Sequence, residues 1–438
     1  NGRYDGSSKF AKDHRYAFFP SVSAAWRISE ENFWQPLKGW WNDMKIRGSY
    51  GSLGNQVMDD LGNFPYLATY GTNSSYNYLI NGSKPVIVKA PGLVAPDFTW
   101  ETVTQMDFGF DASFLNNRLT GTFDWYRRNT KDMLVAGATL PATLGASVPK
   151  SNSADMKTIG WELSLGWNDR LENGFSYWVK GVLSDYQATI TKYAGNDAGF
   201  YSQSDGDGKY YVGQKIGEIW GYHSNGLFQS DDEAATIDQS ELYAGKWGAG
   251  DVKYEDLDND GKITKGEETI YNPGDKSIIG NKTPRYQFGI TVGFDYKNFD
   301  FEMFWQGTGK RDYMLSGAQF WGFTSQWDVP YTPALDYWTE TNTDAYFPRP
   351  GWQNGGNRVT SDRYLQSAAY GRLKNLTVGY TIPKNLTTKW GISRLRLYVT
   401  GENLLTITPL NDAFDPETLG GMTYPINRKV AIGLNLTL

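Results

Sequence analysis

The chain has 438 residues, a net charge of −6, no cysteine and a 16% share of aromatic residues. The negative charge argues against nucleic acid as a partner, and the lack of cysteine excludes disulfides, thiolate metal sites and cysteine nucleophiles. The mean hydropathy is −0.54, and no apolar run approaches the roughly 20 residues of a membrane helix, which excludes helical membrane spans.

The two-residue alternation of pleated strands recurs along the whole chain. It predicts eleven strands, in chain order at 16–28, 43–51, 100–114, 119–130, 158–168, 174–185, 285–296, 299–306, 373–381, 394–406 and 430–438. We therefore predict an all-β protein built from antiparallel hairpins.

The hairpin at 285–306 has the clearest pattern. In its first strand, six large apolar residues from Tyr286 to Tyr296 alternate with polar residues or glycine. The strand is about 33 Å long between those tyrosines, and a strand tilted as in a barrel would span about 25 Å along the membrane normal. That is the height of the apolar band of an outer-membrane barrel. Tyrosines at both ends suit two membrane interfaces. A soluble sandwich also alternates, so the pattern alone leaves that alternative open.

The connections between the predicted strands alternate strictly between short and long. The long ones fall at 52–99, 131–157, 186–285, 307–372 and 407–429. Short periplasmic turns and long extracellular loops are typical of bacterial outer-membrane barrels. An open sheet edge cannot lie in lipid, and eleven strands are half of the 22 found in plugged transporters. We predict that residues 1–438 are the C-terminal part of such a transmembrane β-barrel, and that another segment or companion chain supplies the N-terminal half with its plug.

Five stretches carry a family resemblance, in the same order along the chain. They lie at 16–31, 61–66, 217–229 (Gly-Glu-Ile-Trp-Gly-Tyr-His-Ser-Asn-Gly-Leu-Phe-Gln), 394–405 (Arg-Leu-Arg-Leu-Tyr-Val-Thr-Gly-Glu-Asn-Leu-Leu) and 424–428. These stretches resemble SusC-type TonB-dependent transporters. The resemblance implies a Gram-negative outer-membrane importer of oligosaccharides or peptides, powered through TonB and paired with a SusD-like surface lipoprotein. The family's plug and TonB box have no counterpart in this chain.

Residues 256–267 have the spacing of an EF-hand calcium loop. Positions 1, 3, 5, 6 and 12 are Asp256, Asp258, Asp260, Gly261 and Glu267. Carboxylates can wrap a cation here because glycine permits the sharp turn, and Lys262 would offer its backbone carbonyl. We expect a structural Ca²⁺ that ties down the extracellular connection 186–285, with Glu268 as an alternative closing ligand. A solvated acidic turn is the other interpretation.

Aromatic and charged residues supply the remaining candidates. Five tryptophans outside the predicted strands could stack on a sugar or a peptide side chain, or else pack the loops together: Trp247, Trp321, Trp327, Trp338 and Trp352. Five charged residues are expected to face the lumen and to brace the plug through ion pairs: Asp300, Glu302, Arg394, Arg396 and Glu402.

Two alternatives to nutrient import remain open. A siderophore or metal-chelate receptor would use the same barrel, although His14 and His223 are the only histidines. A secreted, calcium-stabilised glycan-binding β-protein would instead be soluble without detergent. No nucleophile and base pair stands out, so we do not expect an enzyme.

Overall fold

The computed structural model describes residues 1–56, 62–73, 79–80, 82–84, 86–89, 91–95, 97–136, 141–146, 148–194, 196, 199–200, 210–351, 353–419 and 424–438. The strands in these residues are β1 (Gly2–Gly6), β2 (Tyr16–Arg27), β3 (Trp41–Asn55), β4 (Gly71–Asn73), β5 (Ile87–Lys89), β6 (Glu101–Phe114), β7 (Leu119–Ala136), β8 (Lys150–Arg170), β9 (Ser176–Tyr193), β10 (Glu218–Tyr222), β11 (Ser224–Leu227), β12 (Val252–Tyr254), β13 (Lys276–Asn281), β14 (Arg285–Tyr296), β15 (Phe299–Lys310), β16 (Asp312–Met314), β17 (Leu365–Ser367), β18 (Tyr370–Thr381), β19 (Arg394–Ile407) and β20 (Lys429–Thr437).

Helices in the same residues are short. The α-helices are α1 (Asp231–Ala234), α2 (Ala318–Trp321) and α3 (Lys384–Thr387), and 3₁₀ turns lie at Lys12–His14, Ile28–Glu30, Asn32–Leu37, Ala142–Leu144, Thr332–Leu335, Gly355–Arg358 and Thr388–Trp390. None of these helices is long and apolar enough to cross a membrane.

One large antiparallel sheet organises the described part of the chain. Its strand order is β1-β2-β3-β6-β7-β8-β9-β14-β15-β18-β19-β20, so each strand pairs with the next sheet strand along the chain. All eleven predicted strands lie in this sheet. The twelfth strand, β1, pairs with β2 from Gly2↔Pro20 to Gly6↔Tyr16, and was missed because its five residues have no apolar alternation.

Several strands extend beyond their predicted ends. β7 continues to Ala136 and β8 begins at Lys150, so most of the predicted loop 131–157 belongs to strands. β9 also continues past its predicted end, to Tyr193, and the extended parts of β8 and β9 carry a small buried cluster of Ala154, Ile190 and Tyr193. Backbone pairing and this cluster stabilise the strand extensions. Their sequence does not alternate between apolar and polar residues, so the alternation did not predict them.

Cross-strand register gives the sheet one continuous apolar face. Phe294 lies opposite Phe301, which lies opposite Val378, and the row continues through Val399 to Ile432. Many side chains of this face are exposed. Apolar residues on the outward face of a closed barrel are stabilised by lipid.

Glycines on the opposite face make room for aromatic rings. A Cβ on Gly160 would lie 2.5 Å from the ring of Tyr126, and one on Gly433 would lie 2.1 Å from the ring of Tyr398. Tyr126 and Tyr398 lie opposite these glycines in the register. Aromatic rings that cover glycines restore packing where the strand has no side chain, which accounts for part of the high glycine and aromatic content.

The largest buried cluster lies in the long connections, outside the main sheet. It joins the β9–β14, β15–β18 and β19–β20 connections, and its buried members are Tyr222, Leu227, Val252, Tyr254, Ile263, Leu315, Phe320, Trp321, Phe347, Tyr364, Ala368, Leu410 and Leu419. We call these residues the loop core. The long connections are therefore a packed layer at one end of the sheet.

Candidate functional site

Small strand pairs shape the part of the loop core that precedes β14. β10 pairs with β13, and β11 pairs with β12. The side-chain amide of Gln239 accepts from Tyr254 N–H at 2.9 Å and donates to Val252 O at 3.0 Å. The Gln239 side chain thus takes the place of a neighbouring strand. It provides hydrogen-bond partners for the backbone N–H of Tyr254 and the backbone C=O of Val252, although β12 is buried.

A buried carboxylate joins two connections. Asp251 is fully buried and accepts hydrogen bonds from Arg349 Nε at 2.9 Å, Asn357 Nδ2 at 2.8 Å and Gly248 N–H at 2.9 Å. Arg349 and Asn357 belong to the β15–β18 connection, whereas Asp251 belongs to the β9–β14 connection. This network therefore joins the two connections.

The predicted metal loop brings three of its carboxylates together. One oxygen from each of Asp256, Asp258 and Asp260 lies within 4.8 Å of the others, and among the described residues this is the one such group of His, Cys, Asp or Glu side chains. Gly261, at the sixth position, has φ +82°, a left-handed conformation that favours glycine. An all-oxygen donor set of this kind suits a hard cation such as Ca²⁺.

Two buried side chains anchor this loop. Asp275 accepts from Leu257 N–H and from Thr264 N–H, both at 2.7 Å, so its carboxylate ties the two ends of the loop together. Ile263 is fully buried in the loop core. The backbone around the three aspartates is therefore fixed before any ion binds.

The environments of Asp256 and Asp258 shift their pKa values in opposite directions. Desolvation raises the pKa of Asp258, and repulsion from Asp260 and Asp275 adds to that shift. Desolvation acts on Asp256 too, but hydrogen bonds from the backbone N–H groups of Gly261, Asn259 and Asp260 outweigh it and lower the pKa of Asp256. Both shifts follow from crowded carboxylates around a turn.

The closing ligand of the predicted calcium loop is not in place. Glu267 is outside the group of three carboxylates, and its backbone N–H donates to Asn272 O at 3.0 Å. The alternative ligand, Glu268, is paired with Lys276 Nζ at 2.6 Å. Lys262 lies in the loop as expected, and its N–H donates to Asp260 Oδ1. The twelfth-position ligand of the EF-hand arrangement, Glu267 or its alternative Glu268, therefore stays a prediction.

Most of the candidate tryptophans pack within the loops. Trp321 is 9% exposed and belongs to the loop core. Trp247 and Trp338 pack against that core, and the Trp247 ring covers Gly356. These three therefore follow the loop-packing alternative, because apolar rings in a long connection are stabilised by burial against each other.

One candidate tryptophan is available to a ligand. Trp327, in the β15–β18 connection, is 83% exposed, and stacking remains a prediction for it. Trp352 lies outside the described residues.

The charged wall residues of the sheet form ion pairs across strands. Arg396 pairs with Asp300, and both line a cavity of about 610 Å³ with Glu302 and Arg394. Glu402 pairs separately with Lys429 at 3.5 Å. All five residues lie on the strand face opposite the apolar one, as their alternation predicted.

The sequence reasoning missed a cluster around His223. His223 Nδ1 lies 2.8 Å from Asp362 Oδ2, and His223 Nε2 lies 2.7 Å from Ser277 Oγ. The contacts have the order of a Ser-His-Asp triad, but Ser277 is paired with Gly221 in regular strand structure and not on the sharp turn that exposes a nucleophile. The cluster joins three segments, and no local spacing could have revealed it because Asp362 is 139 residues from His223.

Comparison with known proteins places this fold in a family. The model of a family described as "TonB dependent receptor-like, beta-barrel" matches residues 1–404. The chain belongs to the TonB-dependent receptor β-barrel family.

Curated relatives of this receptor chain carry the same family name. TonB-dependent receptor P3 of Formosa agariphila is 31% identical over 99% of the chain and 43% of the relative. TonB-dependent receptor SusC of Bacteroides thetaiotaomicron is 28% identical over 99% of the chain and 41% of the relative. The chain thus spans less than half the length of these relatives.

Solved structures agree with the receptor fold. The structure of the RagAB peptide transporter matches 99% of this chain and 45% of its own chain, with a TM-score of 0.78 and 23% identity. The predicted resemblance to SusC-type receptors is confirmed, as is the β-barrel class. The family consists of receptors and not of enzymes, so the prediction that the chain is not an enzyme is confirmed, and the soluble secreted alternative is wrong.

Proposed function

We propose that this receptor chain is part of an outer-membrane importer that takes up oligosaccharides or peptides with energy transmitted by TonB. The observation that carries the proposal is the two-faced sheet, with an apolar row across neighbouring strands and ion pairs on the opposite face. Lipid stabilises the first face, and a water-filled or plugged lumen stabilises the second. An importer needs both surfaces.

The relatives support the choice of cargo and of partner. One curated relative is SusC, and the similar solved structures are described as a peptide transporter and importer. We propose a SusD-like surface lipoprotein as the lid over the long connections, the Gram-negative outer membrane as the location, and the rest of the barrel with its plug as the route to TonB.

Uptake by cells tests the importer. Cells that express the full-length receptor should accumulate labelled oligosaccharides or peptides, and deletion of tonB or collapse of the inner-membrane proton gradient should abolish accumulation. Uptake that persists without TonB would refute the energy source. Native mass spectrometry of the detergent-extracted receptor should find the lipoprotein bound, and a receptor that is always found without it would refute the lid.

We further propose that Asp256, Asp258 and Asp260 hold a structural Ca²⁺, with the Lys262 carbonyl as a further ligand. The support is the oxygen donor set and the anchored turn. Glu267 would have to swing in, or water would complete the shell, because Ca²⁺ takes about 6–8 oxygen ligands.

Loss of Ca²⁺ should loosen the loop core. We expect EGTA to lower the temperature at which the long connections become sensitive to protease, and Asp258→Asn should lose terbium luminescence with the same loosening. Asp232→Asn, an exposed acidic residue outside the loop, is the matched control. Terbium binding that Asp258→Asn leaves unchanged would refute the site.

A further inference from the structure

The short turn between β18 and β19 has an exposed apolar patch. It contains α3 and the 3₁₀ turn Thr388–Trp390, and it lies at the end of the main sheet opposite the loop core, because the connections of this antiparallel sheet alternate between its two ends. Leu386 is 41% exposed and Trp390 is 61% exposed. Residues three or four apart on helical turns are neighbours, which puts both side chains in one patch. No residue of 384–390 lines the cavity of about 610 Å³ on the polar face of the sheet.

Hydrogen bonds hold this turn in one conformation. Leu386 N–H donates to Pro383 O at 2.9 Å, and Ile392 N–H donates to Thr387 O at 3.0 Å. Thr387 is fully buried, and Gly391 ends the turn with φ +70°, a left-handed conformation that favours glycine. The exposed apolar side chains are therefore attached to the sheet by an ordered turn.

The neighbouring β14–β15 turn is joined to this one. Asn298 Nδ2 donates to Thr381 O at 2.6 Å, and Thr381 N–H donates to Asn298 O at 2.8 Å. Phe299, which follows Asn298, is 53% exposed. It lies two residues before Phe301 on β15, so it shares the apolar face of the sheet. The face that lipid covers in the proposed barrel thus continues to this end of the sheet, next to the β18–β19 turn.

The β18–β19 turn is basic and contains no acid. Residues 382–393 include Lys384 and Lys389 but no aspartate or glutamate. Both lysines are exposed, and neither forms an ion pair with a described residue. The apolar patch is therefore flanked by two positive charges on the same short segment.

Cations at two other short turns are compensated by acids. Lys38, between β2 and β3, pairs with Glu30 at 3.9 Å, and Arg118, between β6 and β7, pairs with Asp169 at 3.3 Å. At the β18–β19 turn, no acidic side chain of a described residue offsets Lys384 or Lys389 in this way. An anionic partner would supply the missing negative charge.

We propose that the β18–β19 turn binds an anionic phospholipid, with the lipid phosphate at Lys384 and Lys389 and the acyl chains beside Leu386 and Trp390. Tryptophan is favoured at the level of lipid headgroups, and lysines beside an apolar patch attract anionic lipids. The proposal rests on the outer-membrane location proposed above, in which the short turns face the periplasm. It adds a preference for one class of lipid headgroup that insertion into a membrane does not by itself require.

Native mass spectrometry of the full-length receptor tests this preference. The receptor in neutral detergent is titrated with phosphatidylglycerol or with phosphatidylethanolamine, and the bound lipid molecules are counted. We expect phosphatidylglycerol to bind more tightly. In the double variant Lys384→Gln/Lys389→Gln, the dissociation constant for phosphatidylglycerol should rise by about 25-fold, because each lysine near an anionic lipid surface contributes about fivefold.

Two further double variants separate this site from the rest of the receptor. Lys384→Arg/Lys389→Arg keeps both charges and should bind phosphatidylglycerol as the unaltered receptor does. Lys282→Gln/Lys310→Gln removes two exposed lysines near the other end of the sheet, and it should also leave binding unchanged.

Equal affinity for the two lipids would refute the site, as would phosphatidylglycerol binding that is equal in the glutamine variant of the turn and in the control at Lys282 and Lys310. Either result leaves the importer standing, because TonB-dependent uptake by cells is measured separately. Failure of the uptake assay would refute the importer without changing which lipid binds.

Discussion

At the scale of single residues, Asp251 is the carboxylate that links the two largest connections. It is fully buried, and each of its oxygens accepts at least one bond from another segment. A buried charge of this kind is stable only while its donors stay in place. Its bonds hold the segment that carries Arg349 and Asn357 against the β9–β14 connection.

Replacing Asp251 with asparagine should destabilise the loop core by about 3 kcal/mol. Asparagine has the same shape, but it removes the charge and turns an N–H group toward donors that then lack an acceptor. Urea unfolding of the loop core, followed by limited proteolysis, measures the change. Asp232→Asn serves again as the exposed control, and an Asp251→Asn midpoint equal to that of the control would contradict the role of the network.

Buried tyrosines should make the loop core sensitive to alkali. Burial raises the pKa of Tyr222, Tyr254 and Tyr364 above the value of about 10 that an unfolded tyrosine has. Above about pH 10 the unfolded state loses these protons and the folded state keeps them, so stability falls as pH rises further. The near-ultraviolet circular dichroism signal of the loop core should therefore be lost above about pH 10, at a lower pH than the one at which the barrel sheet unfolds.

Tyr364→Phe isolates this effect. The Tyr364 hydroxyl is buried and makes no hydrogen bond to a described residue, so phenylalanine keeps the packing and removes one titrating group. The alkaline midpoint should rise in this variant. A midpoint that does not move would show that tyrosine ionisation is not what unfolds the loop core.

At the scale of elements, glycines let side chains meet across three strands. Arg47 on β3 and Asp124 on β7 form an ion pair over Gly109 on β6, which separates them in the register. A Cβ on Gly109 would lie 2.3 Å from Asp124 Oδ1 and 2.9 Å from Arg47 Cζ. Asp300 and Arg396 also meet over a glycine, Gly379, although the residue opposite Gly379 on β19 is Tyr398.

Gly109→Ala should weaken the barrel wall, because the methyl group separates Arg47 from Asp124. When the full-length Gly109→Ala receptor is heated and run on a gel, the band of the folded barrel should be lost at a lower temperature than for the unaltered receptor. Gly181→Ala is the matched control, since a Cβ at Gly181 meets nothing within 4 Å. Equal midpoints for the two variants would argue against the ion pair as a brace of the wall.

At the scale of the whole molecule, the two outer strands of the sheet, β1 and β20, each pair on one side only in the described residues. An unpaired edge in lipid costs several kcal/mol for each backbone group. The sequence predicts eleven strands, whereas the main sheet has twelve in the described residues, so a barrel of 22 strands would need about ten strands besides these.

Hydrogen exchange tests whether the barrel closes at these edges. In the full-length receptor, the amides of β20 should be protected as strongly as those of β18, because both would be paired on two sides. The exposed turn at residues 297–298 provides a fast-exchanging internal standard. Fast exchange along β20 would mean that its outer edge has no strand beside it.

The sequence alone determined the barrel strands and their two faces. Lipid and lumen impose strict alternation on every spanning strand, so eleven strands, the apolar rows and the inward position of Arg396 could be predicted from local periodicity. The Asp-rich turn at 256–261 was also predictable, because its geometry depends on neighbouring residues.

Only the tertiary structure decided what the long connections do. Burial of Trp321 and the His223 contacts result from segments that lie far apart in the chain. These connections have no repeating period, since they are neither helices nor spanning strands, and their side chains are ordered by packing against one another. Contacts between distant segments leave no local sequence pattern. The arrangement of the long connections is therefore known only from the tertiary structure.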